Sequence, residues 1–475
     1  MHSLAIIILA AGKGTRMKSD TVKVLHPVAG LPMLAYPVQT ARALQPDKLI
    51  VVVGHQRDRV EELCGGGDIL FVHQQEQLGS GQAVAVTEPF LQGFSGTVAI
   101  MCGDVPLIRV ETIRKFLAGH RESTAALSVL SVILEDPTGY GRIVRDASGR
   151  VQAIVEHRDA SPQQKTITEI NTGIYCGEAP FLFQVLKKIG RDNDQAEYYL
   201  PDIVSLAYRE GKKVQAVVTD NFQEVKGIND RVDLSEAERV MRQRILRHHM
   251  QDGVTIIDPD STYIDCGVTI GQDTVIHPNT CIRGTSSIGR NCTIDSNATI
   301  INSTVGNNVH IKSSSVIDES QIQDNAAIGP FAHLRPQTFI AEGGRVGNFV
   351  EIKKSRLGKG SKANHLTYIG DTTIGDEVNI GAGTITCNYD GKTKHPTVIE
   401  DRVFVGSNTS LVAPVRVGKG AVIGAGSTIT KDVPAGALAV GRAKQTTYEN
   451  WFSIKRKKQE TDKPPEDDTS PEDDT

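Results

Sequence analysis

The chain is poor in aromatic residues, which make up 5% of its 475 residues and include a single tryptophan. With 45 glycines beside them, this favours tight turns between small, repetitive elements over one large irregular core. Paired cysteines are missing as well. The seven, Cys64, Cys102, Cys176, Cys266, Cys281, Cys292 and Cys387, contain no C-x-x-C. An odd, scattered set indicates neither a disulfide framework nor a structural zinc site, and points to a reduced, cytoplasmic setting. Long apolar runs are absent too. The nearest, LAIIILAA at 4–11, lacks a basic leader, runs into GKGTRMK and is far too short to span a bilayer. No membrane partner is expected. Strong charge is also lacking: a net −4 argues against nucleic acid as a partner. Most of that charge sits in Lys455–Thr475, which carries five basic and eight acidic residues.

What is present indicates a large folded protein. Charged residues at 23% and apolar ones at 39% exclude a mostly disordered chain, and the length suits two large domains or about three ordinary ones. Up to about residue 230 the pattern is strand, loop, helix. Apolar runs at 4–11, 49–54, 68–72 and 97–102 alternate with helical stretches such as Met33–Leu44 and Val110–His120. This predicts a mostly parallel, Rossmann-like α/β domain. Ligands bind such sheets beyond the carboxyl ends of the strands, where this chain carries AAGKGTR, GHQ, HQQEQLGSG and CGDVP. Residues 229–250 predict a helix, with Asp233 and Glu236 as its capping box and Val240, Met241, Ile245 and Leu246 as its apolar stripe. It reads as a solvated connector.

Beyond residue 255 the period becomes six. Ile264, Ile270, Ile276, Ile282, Ile288, Ile294 and Ile300 recur without a slip. The spacing returns at Val305, Ile311 and Ile317, then from Ile322 through Leu334 to Ile352, and from Val405 to Ile429. An α-helix would turn each of these onto a new face. Glycine and small polar fillers between them suit turns, so the pattern predicts a parallel β-helix whose coils bury aliphatics by stacking. The repeat is interrupted by TCNYDGKTKHPTV at 386–398, and insertions of this kind gather on functional faces. After residue 440 it ends; NWFSI at 450–454 is expected to pack as a cap, and the twice-repeated PEDDT to be disordered. The domains expected are 1–229, a connecting helix 230–252, the β-helix 253–445, and an arm and tail 446–475.

The turn Leu9-Ala-Ala-Gly-Lys-Gly-Thr-Arg-Met17 places two glycines and two cations after a strand. Taken alone, such a turn is as much a structural loop as a phosphate cradle; it matches neither a Walker A loop nor a dinucleotide fingerprint. Its company is more specific. LAAGKGTRM with Lys23, Gln74, QLGSG (77–81), GDVP (103–106), PTGYGR (137–142), VEH (155–157), EINTG (169–173) and GIN (227–229) resembles sugar-phosphate nucleotidyltransferases. LRP (334–336), NFVEIKK (348–354), HLTYIGD (365–371), NIGAGT (379–384) and CNYDG (387–391) extend the likeness. Together they resemble the bacterial bifunctional N-acetylglucosamine-1-phosphate uridyltransferases and glucosamine-1-phosphate N-acetyltransferases, over roughly residues 1–450.

That resemblance implies a left-handed β-helix and two activities. In the first, Leu9, Ala10, Ala11, Gly12 and Lys23 hold UTP, Arg16 stabilises the triphosphate, and Gln74, Gly79 and Ser80 recognise uracil. Gly141, Glu156 and Asn171 hold N-acetylglucosamine 1-phosphate, while Asp104 and Asn229 ligate Mg²⁺, a hard cation that prefers oxygen ligands. In the second, Arg335 and Lys353 bind the phosphate of glucosamine 1-phosphate, and Tyr368 and Asn379 orient the sugar. His365 is the general base, assisted by Glu351; imidazole is the side chain suited to taking a proton near neutral pH. Acetyl-CoA contacts Ala382, Asn388, Tyr389, Ser407, Ala425 and Arg442. The assembly implied is a homotrimer.

Two departures from the family pattern stand out. Val22 replaces a proline before Lys23, and Cys102 replaces an aromatic before GDVP; Cys102 is assigned no site role. Three other readings compete. In one, the β-helix of a single-activity nucleotidyltransferase only assembles subunits. A β-helix metal hydratase is the second, and would need clustered histidines, whereas His277, His310, His333, His365 and His395 form no close pair in sequence. The third is a purely structural module, against which Lys23 and GDVP argue.

Overall fold

The computed structural model describes residues 3–193 and 195–461; the PEDDT repeats expected to be disordered lie outside them. The chain divides into two compact units, Met1–Pro336 and Gln337–Thr475.

The first unit opens with a sheet built from β1 (Leu4–Ala10), β2 (Lys48–Val53), β3 (Ile69–His73), β4 (Thr97–Cys102) and β5 (Leu127–Ile133). A hairpin of β6 (Arg142–Arg145) and β7 (Val151–Val155) follows, then β8 (Glu169–Glu178) and β9 (Val214–Thr219). The order is β9-β5-β8-β4-β1-β2-β3. Only β8 runs antiparallel to its neighbours in this row. Both faces are covered, which is why the strands read as unbroken apolar runs rather than alternating ones. Ile7, Ile50, Val52 and Ile100 enter one core layer; Ile6, Ile8, Val51 and Met101 enter the other. With β1 to β4 all parallel, their carboxyl ends share one rim.

The helix Arg231–Gln251 differs from expectation in two ways. Its cap is Asp230, whose carboxylate accepts the amide protons of Val232 at 2.9 Å and Asp233 at 3.0 Å. Asp230 is the residue with extended backbone just outside the helix, as an N-cap requires. Asp233 and Glu236 instead clamp Lys226, at 2.9 and 2.6 Å. Nor is the helix a solvated connector, because Ala237 and Met241 pack with Val28, Met33 and Leu107 in a small core of their own.

From Thr255 the coils begin. Within the first unit Ile264, Ile282, Ile300, Ile317 and Leu334 stand in register on successive parallel strands. In the second unit Ile340, Leu357, Ile374, Ile399 and Val417 do the same. The step from Ile374 to Ile399 is longer because it carries the predicted insertion. The aliphatic hexad positions are buried, save Ile270, which is half-buried. At the corners the backbone turns left-handed, with Asn279, Asn297 and Asn325 at φ 60–63°; asparagine tolerates that region best among residues with a side chain. Corner amides that face inward are met by buried hydroxyls. Ser286 accepts the amide of Ser303 at 3.2 Å, and Ser303 that of Ser320 at 3.0 Å. These contacts satisfy groups that would otherwise be costly to bury.

Two further expectations need correction. His277 and His310, 33 positions apart in sequence, both reach Asp295, at 4.0 and 2.9 Å, because consecutive coils superpose positions that sequence keeps apart. Among the described residues, no group of three or more His, Cys, Asp or Glu is disposed to hold a metal ion. The terminal helix Trp451–Thr461 does not act as a packed cap: Trp451, Phe452 and Ile454 are 53, 83 and 56% exposed. Among the described residues no helix is long and apolar enough to cross a membrane.

The cap assignment is testable by chemical denaturation. Asp230→Ala should destabilise the first unit by about 1 kcal/mol, whereas Glu236→Ala, which removes a largely exposed ion-pair partner, should cost less than about 0.5 kcal/mol.

Candidate functional site

Beyond the rim of the parallel strands lie two adjoining cavities of about 730 and 510 Å³, which share Leu9, Thr15, Ser80 and Glu197. The turn after β1 forms the wall between them. Gly14 has φ +64°, and a Cβ there would fall 2.5 Å from Cβ of Lys23; only glycine lets this turn close over the lysine. Lys23 in turn forms an ion pair with Asp104. Arg16 donates to Oδ1 of Asn229 at 2.8 Å, and the amide of Ile228 donates to the carbonyl of Asp104 at 2.9 Å. Two cations therefore sit against the two oxygen-bearing side chains read as metal ligands. An acidic and an amide oxygen on adjoining segments are donors of the kind a hard divalent cation takes, and Lys23 and Arg16 occupy them here.

In the smaller cavity stand Ala11, Gly12, Gln74, Gly79 and Ser80, together with Lys13. Gln74 is buried and donates to the carbonyl of Gly79 at 3.1 Å. Gln77 donates to the carbonyl of Ala11 at 2.6 Å, tying the β1 turn to the loop after β3. Ala10 departs from the set: its side chain belongs to the sheet core, so only its backbone can serve a ligand.

Glu156 and Asn171 line the larger cavity. Asn171 donates its amide proton to the carbonyl of Gly141 at 2.9 Å, and a Cβ on Gly141 would come within 3.0 Å of Oε1 of Glu156. These three are thus neighbours. Burial, and after it the carboxylates of Asp159 and Asp202, push the Glu156 carboxyl above its ordinary range.

Cys102, assigned no role from sequence, also lines this cavity. Its thiol donates to the carbonyl of Gly173 at 3.4 Å, and burial, then Asp104, pushes it up to about 12. It stays protonated, a small filler in the cavity wall. Sequence reasoning also missed Tyr175, Glu197 and Tyr199, which face the same space. The signal for two of them was AEYYLPD at 196–202, with its adjacent tyrosines in a chain of ten.

Arg335 follows the strand His333–Leu334 of the first unit, and its carbonyl accepts the hydroxyl of Ser320 at 3.2 Å. In the second unit, Glu351 stands in register with Tyr368, Lys353 with Gly370, and Asn348 with His365. His365 is exposed, and its Nδ1 lies 2.9 Å from Oδ1 of Asn348. An amide oxygen only accepts, so Nδ1 carries a proton, and in the neutral ring the lone pair is left on Nε2. Asn348, which sequence reasoning passed over, therefore sets the tautomer of the predicted base. A Cβ on Gly370 would fall 2.5 Å from the Tyr368 hydroxyl and 2.6 Å from the Asn388 amide, so both side chains crowd over that glycine. Asn388 also donates to Asp371 at 2.6 Å. Asn379 lies on the neighbouring sheet, in register with Phe404.

The other predicted residues of this unit follow one edge. Gly383 donates to the carbonyl of His365 at 3.4 Å, Asn408 to that of Ala382 at 2.7 Å, and Gly426 to that of Ser407 at 2.8 Å. Ala425 precedes Gly426, and a Cβ on that glycine would lie 3.9 Å from Cδ of Arg442. At about 4.8 Å per coil, the edge from His365 to Arg442 runs for roughly four coil steps. Tyr389, 60% exposed, stands on the insertion, where its hydroxyl donates to the carbonyl of Gly391 at 2.7 Å.

Comparison with known proteins matches residues 5–230 to the nucleotidyl transferase family, 259–338 to the GMPPB C-terminal domain, and 396–431 to the hexapeptide repeat of succinyl-transferase. At full length the chain is similar to the bifunctional protein GlmU of Pelobacter propionicus, 52% identical over 96% of this chain and all of that relative. It is likewise similar to those of Geotalea uraniireducens and Geobacter sulfurreducens, each 51% identical over 96% of this chain and all of the relative.

Proposed function

The chain belongs to the GlmU family of bifunctional proteins, and on that premise we propose how its two sites carry the two reactions. The protein is an enzyme that makes UDP-N-acetylglucosamine, by acetylating glucosamine 1-phosphate and then transferring uridylate to the product. Its nucleotidyltransferase domain is followed by a left-handed β-helix of hexapeptide repeats.

Acetylation takes place in the coils. The amine of glucosamine 1-phosphate attacks the thioester carbonyl of acetyl-CoA. The nitrogen–carbon bond forms, the carbon–sulfur bond breaks, and the amine proton passes to Nε2 of His365 and on to the departing sulfur. The observation that carries this reading is the Asn348–His365 contact at 2.9 Å, which in the neutral ring directs the lone pair to Nε2 at an exposed position. Lys353 serves the sugar phosphate, Tyr368 and Asn379 the sugar, and Glu351 the imidazolium as it forms. The corner edge from Ala382 to Arg442 receives the extended arm of acetyl-CoA. A β-helix that merely assembled subunits would need no such histidine.

Uridyl transfer takes place on the rim of the sheet. The phosphate oxygen of N-acetylglucosamine 1-phosphate attacks the α-phosphorus of UTP, and the bond to the β-phosphate breaks to release pyrophosphate. Such transfers depend on positioning and charge neutralisation. The backbone of Leu9–Gly12 and the side chain of Lys23 hold UTP, with Gln74, Gly79 and Ser80 at the base. Gly141, Glu156 and Asn171 hold the sugar. Asp104 and Asn229 would hold Mg²⁺, which when bound neutralises phosphate charge. Arg16 and Lys23, paired with those side chains in this structure, are then free to meet phosphate oxygens.

Three tests follow. Asp104→Ala should abolish Mg²⁺-dependent uridyl transfer and spare acetylation; near-normal uridyl transfer would overturn the ligand assignment. His365→Ala should lose roughly 10²–10⁴-fold in acetyl transfer with uridyl transfer intact. Asn348→Ala keeps the base but frees its tautomer, and should lose up to about tenfold, the worth of one hydrogen bond. The third concerns assembly. The protein acts as a cytoplasmic homotrimer in this reading, supported by its hexapeptide coils and by the exposed Trp451 and Phe452 near its end. Light scattering should return three times the 51.3 kDa chain mass, and a monomer that acetylates fully would contradict it.

A further inference from the structure

The VEH motif contains a histidine to which no role has been given. His157 lines the larger cavity beside Glu156. Behind it lies Arg142, 1% exposed, on strand β6 at the point where the hairpin meets β8: Arg142 pairs with Val155 on one side and Ile170 on the other. A buried guanidinium is expensive unless its donors are used. Those of Arg142 reach the carbonyl of Tyr140, the carbonyl of Lys165 at 3.4 Å, and Nδ1 of His157 at 3.4 Å. Its Nε has no partner, so these three contacts alone orient the group. They tie together the segments that supply Gly139, His157 and Asn171 to the cavity.

Arginine can only donate. Nδ1 of His157 must therefore accept, and the proton of the neutral ring is placed on Nε2. We propose that His157 is a sugar-recognition residue that presents an Nε2–H donor to an oxygen of the bound sugar phosphate, and that Arg142 is the positioning residue that sets this tautomer. The cavity then offers complementary groups side by side. Glu156 accepts from hydroxyls, while His157 donates to an oxygen with a free lone pair; the Asn171 side-chain oxygen is already held by the amide of Gly173 at 2.9 Å. This inference rests on the larger cavity being the sugar site of uridyl transfer.

Steady-state kinetics of uridyl transfer on the full chain test it, with thermal unfolding of the first unit as the measure of intact folding. His157→Ala should raise KM for N-acetylglucosamine 1-phosphate by about three- to tenfold, the worth of one hydrogen bond, and leave KM for UTP unchanged. Glutamine places an amide N–H where Nε2–H stood, whereas asparagine places its amide where Nδ1 stood. His157→Gln should therefore restore most of the loss and His157→Asn should not; the reverse order would overturn the tautomer. Arg142→Lys should raise the same KM in the parent enzyme and add little in the His157→Ala background. Full additivity would overturn the link between the two residues. A rise in both KM values, or none in the sugar's, would exclude His157 from recognition. Glu156→Ala separates the two levels: if it too leaves the sugar KM unchanged, the cavity assignment has failed rather than the role of His157.

Discussion

The stacking of coils is the constraint on which the C-terminal chemistry depends. Most turns of the β-helix return the chain to the same face after 17 or 18 residues, and backbone hydrogen bonds between parallel strands lock that return in place. Ile352 and Ile369 face each other in the interior; one position away and outward-facing, Glu351 stands over Tyr368. The interior has no freedom to vary, since a slip of one residue would exchange every buried aliphatic for an outward side chain. Chemistry is therefore confined to outward positions, corners and insertions. The predicted residues of the second unit fall in those three places: Glu351 and Tyr368 on a face, Ala382 and Ser407 at corners, and Tyr389 on the insertion.

The sheet of the first unit works by a different rule. Its strands have no spare face, because helices cover both, so function gathers where the strands end. Charge is arranged there in advance. Lys23 rests on Asp104 and Arg16 on Asn229, so neither cation must be brought from solvent when a phosphate or a metal ion changes the balance. Such preorganisation lowers the reorganisation that a charged transition state demands. Cys102 adds a neutral wall to this arrangement: its thiol, buried and protonated, lines the cavity without adding charge.

Histidine recurs as the residue whose meaning only its neighbour defines. His365 and His157 both have ring nitrogens fixed by a partner, but with opposite results. An amide oxygen of Asn348 accepts a hydrogen bond from Nδ1 of His365 and, in the neutral ring, leaves the lone pair at Nε2. A guanidinium nitrogen of Arg142 requires the Nδ1 lone pair of His157 and leaves a donor at Nε2. The same side chain thus serves as acceptor in one unit and as donor in the other. His277 and His310, which both reach Asp295, show the third outcome, in which the ring meets a carboxylate.

Much was legible from residue order alone. The six-residue period excluded an α-helix, which would turn each aliphatic onto a new face, and the turn residues between the aliphatics completed the signature of a β-helix. The unbroken apolar runs required a doubly covered parallel sheet, and motif residues at strand ends located its rim. Local pattern failed where two solutions were close in energy or where space decided. The helix chose Asp230 over Asp233 as its cap because a cap needs extended backbone, which depends on how the chain arrives from Ile228. The terminal aromatics read as a cap, yet in this chain they face solvent. Contacts across coils were illegible in principle: 17 positions separate Asn348 from His365, and 33 separate His277 from His310. Sequence determined which residues are buried, because burial follows hydrophobic period. Tertiary structure alone decided which polar side chains share a proton, because a hydrogen bond depends on distances of a few tenths of an ångström that no periodicity encodes.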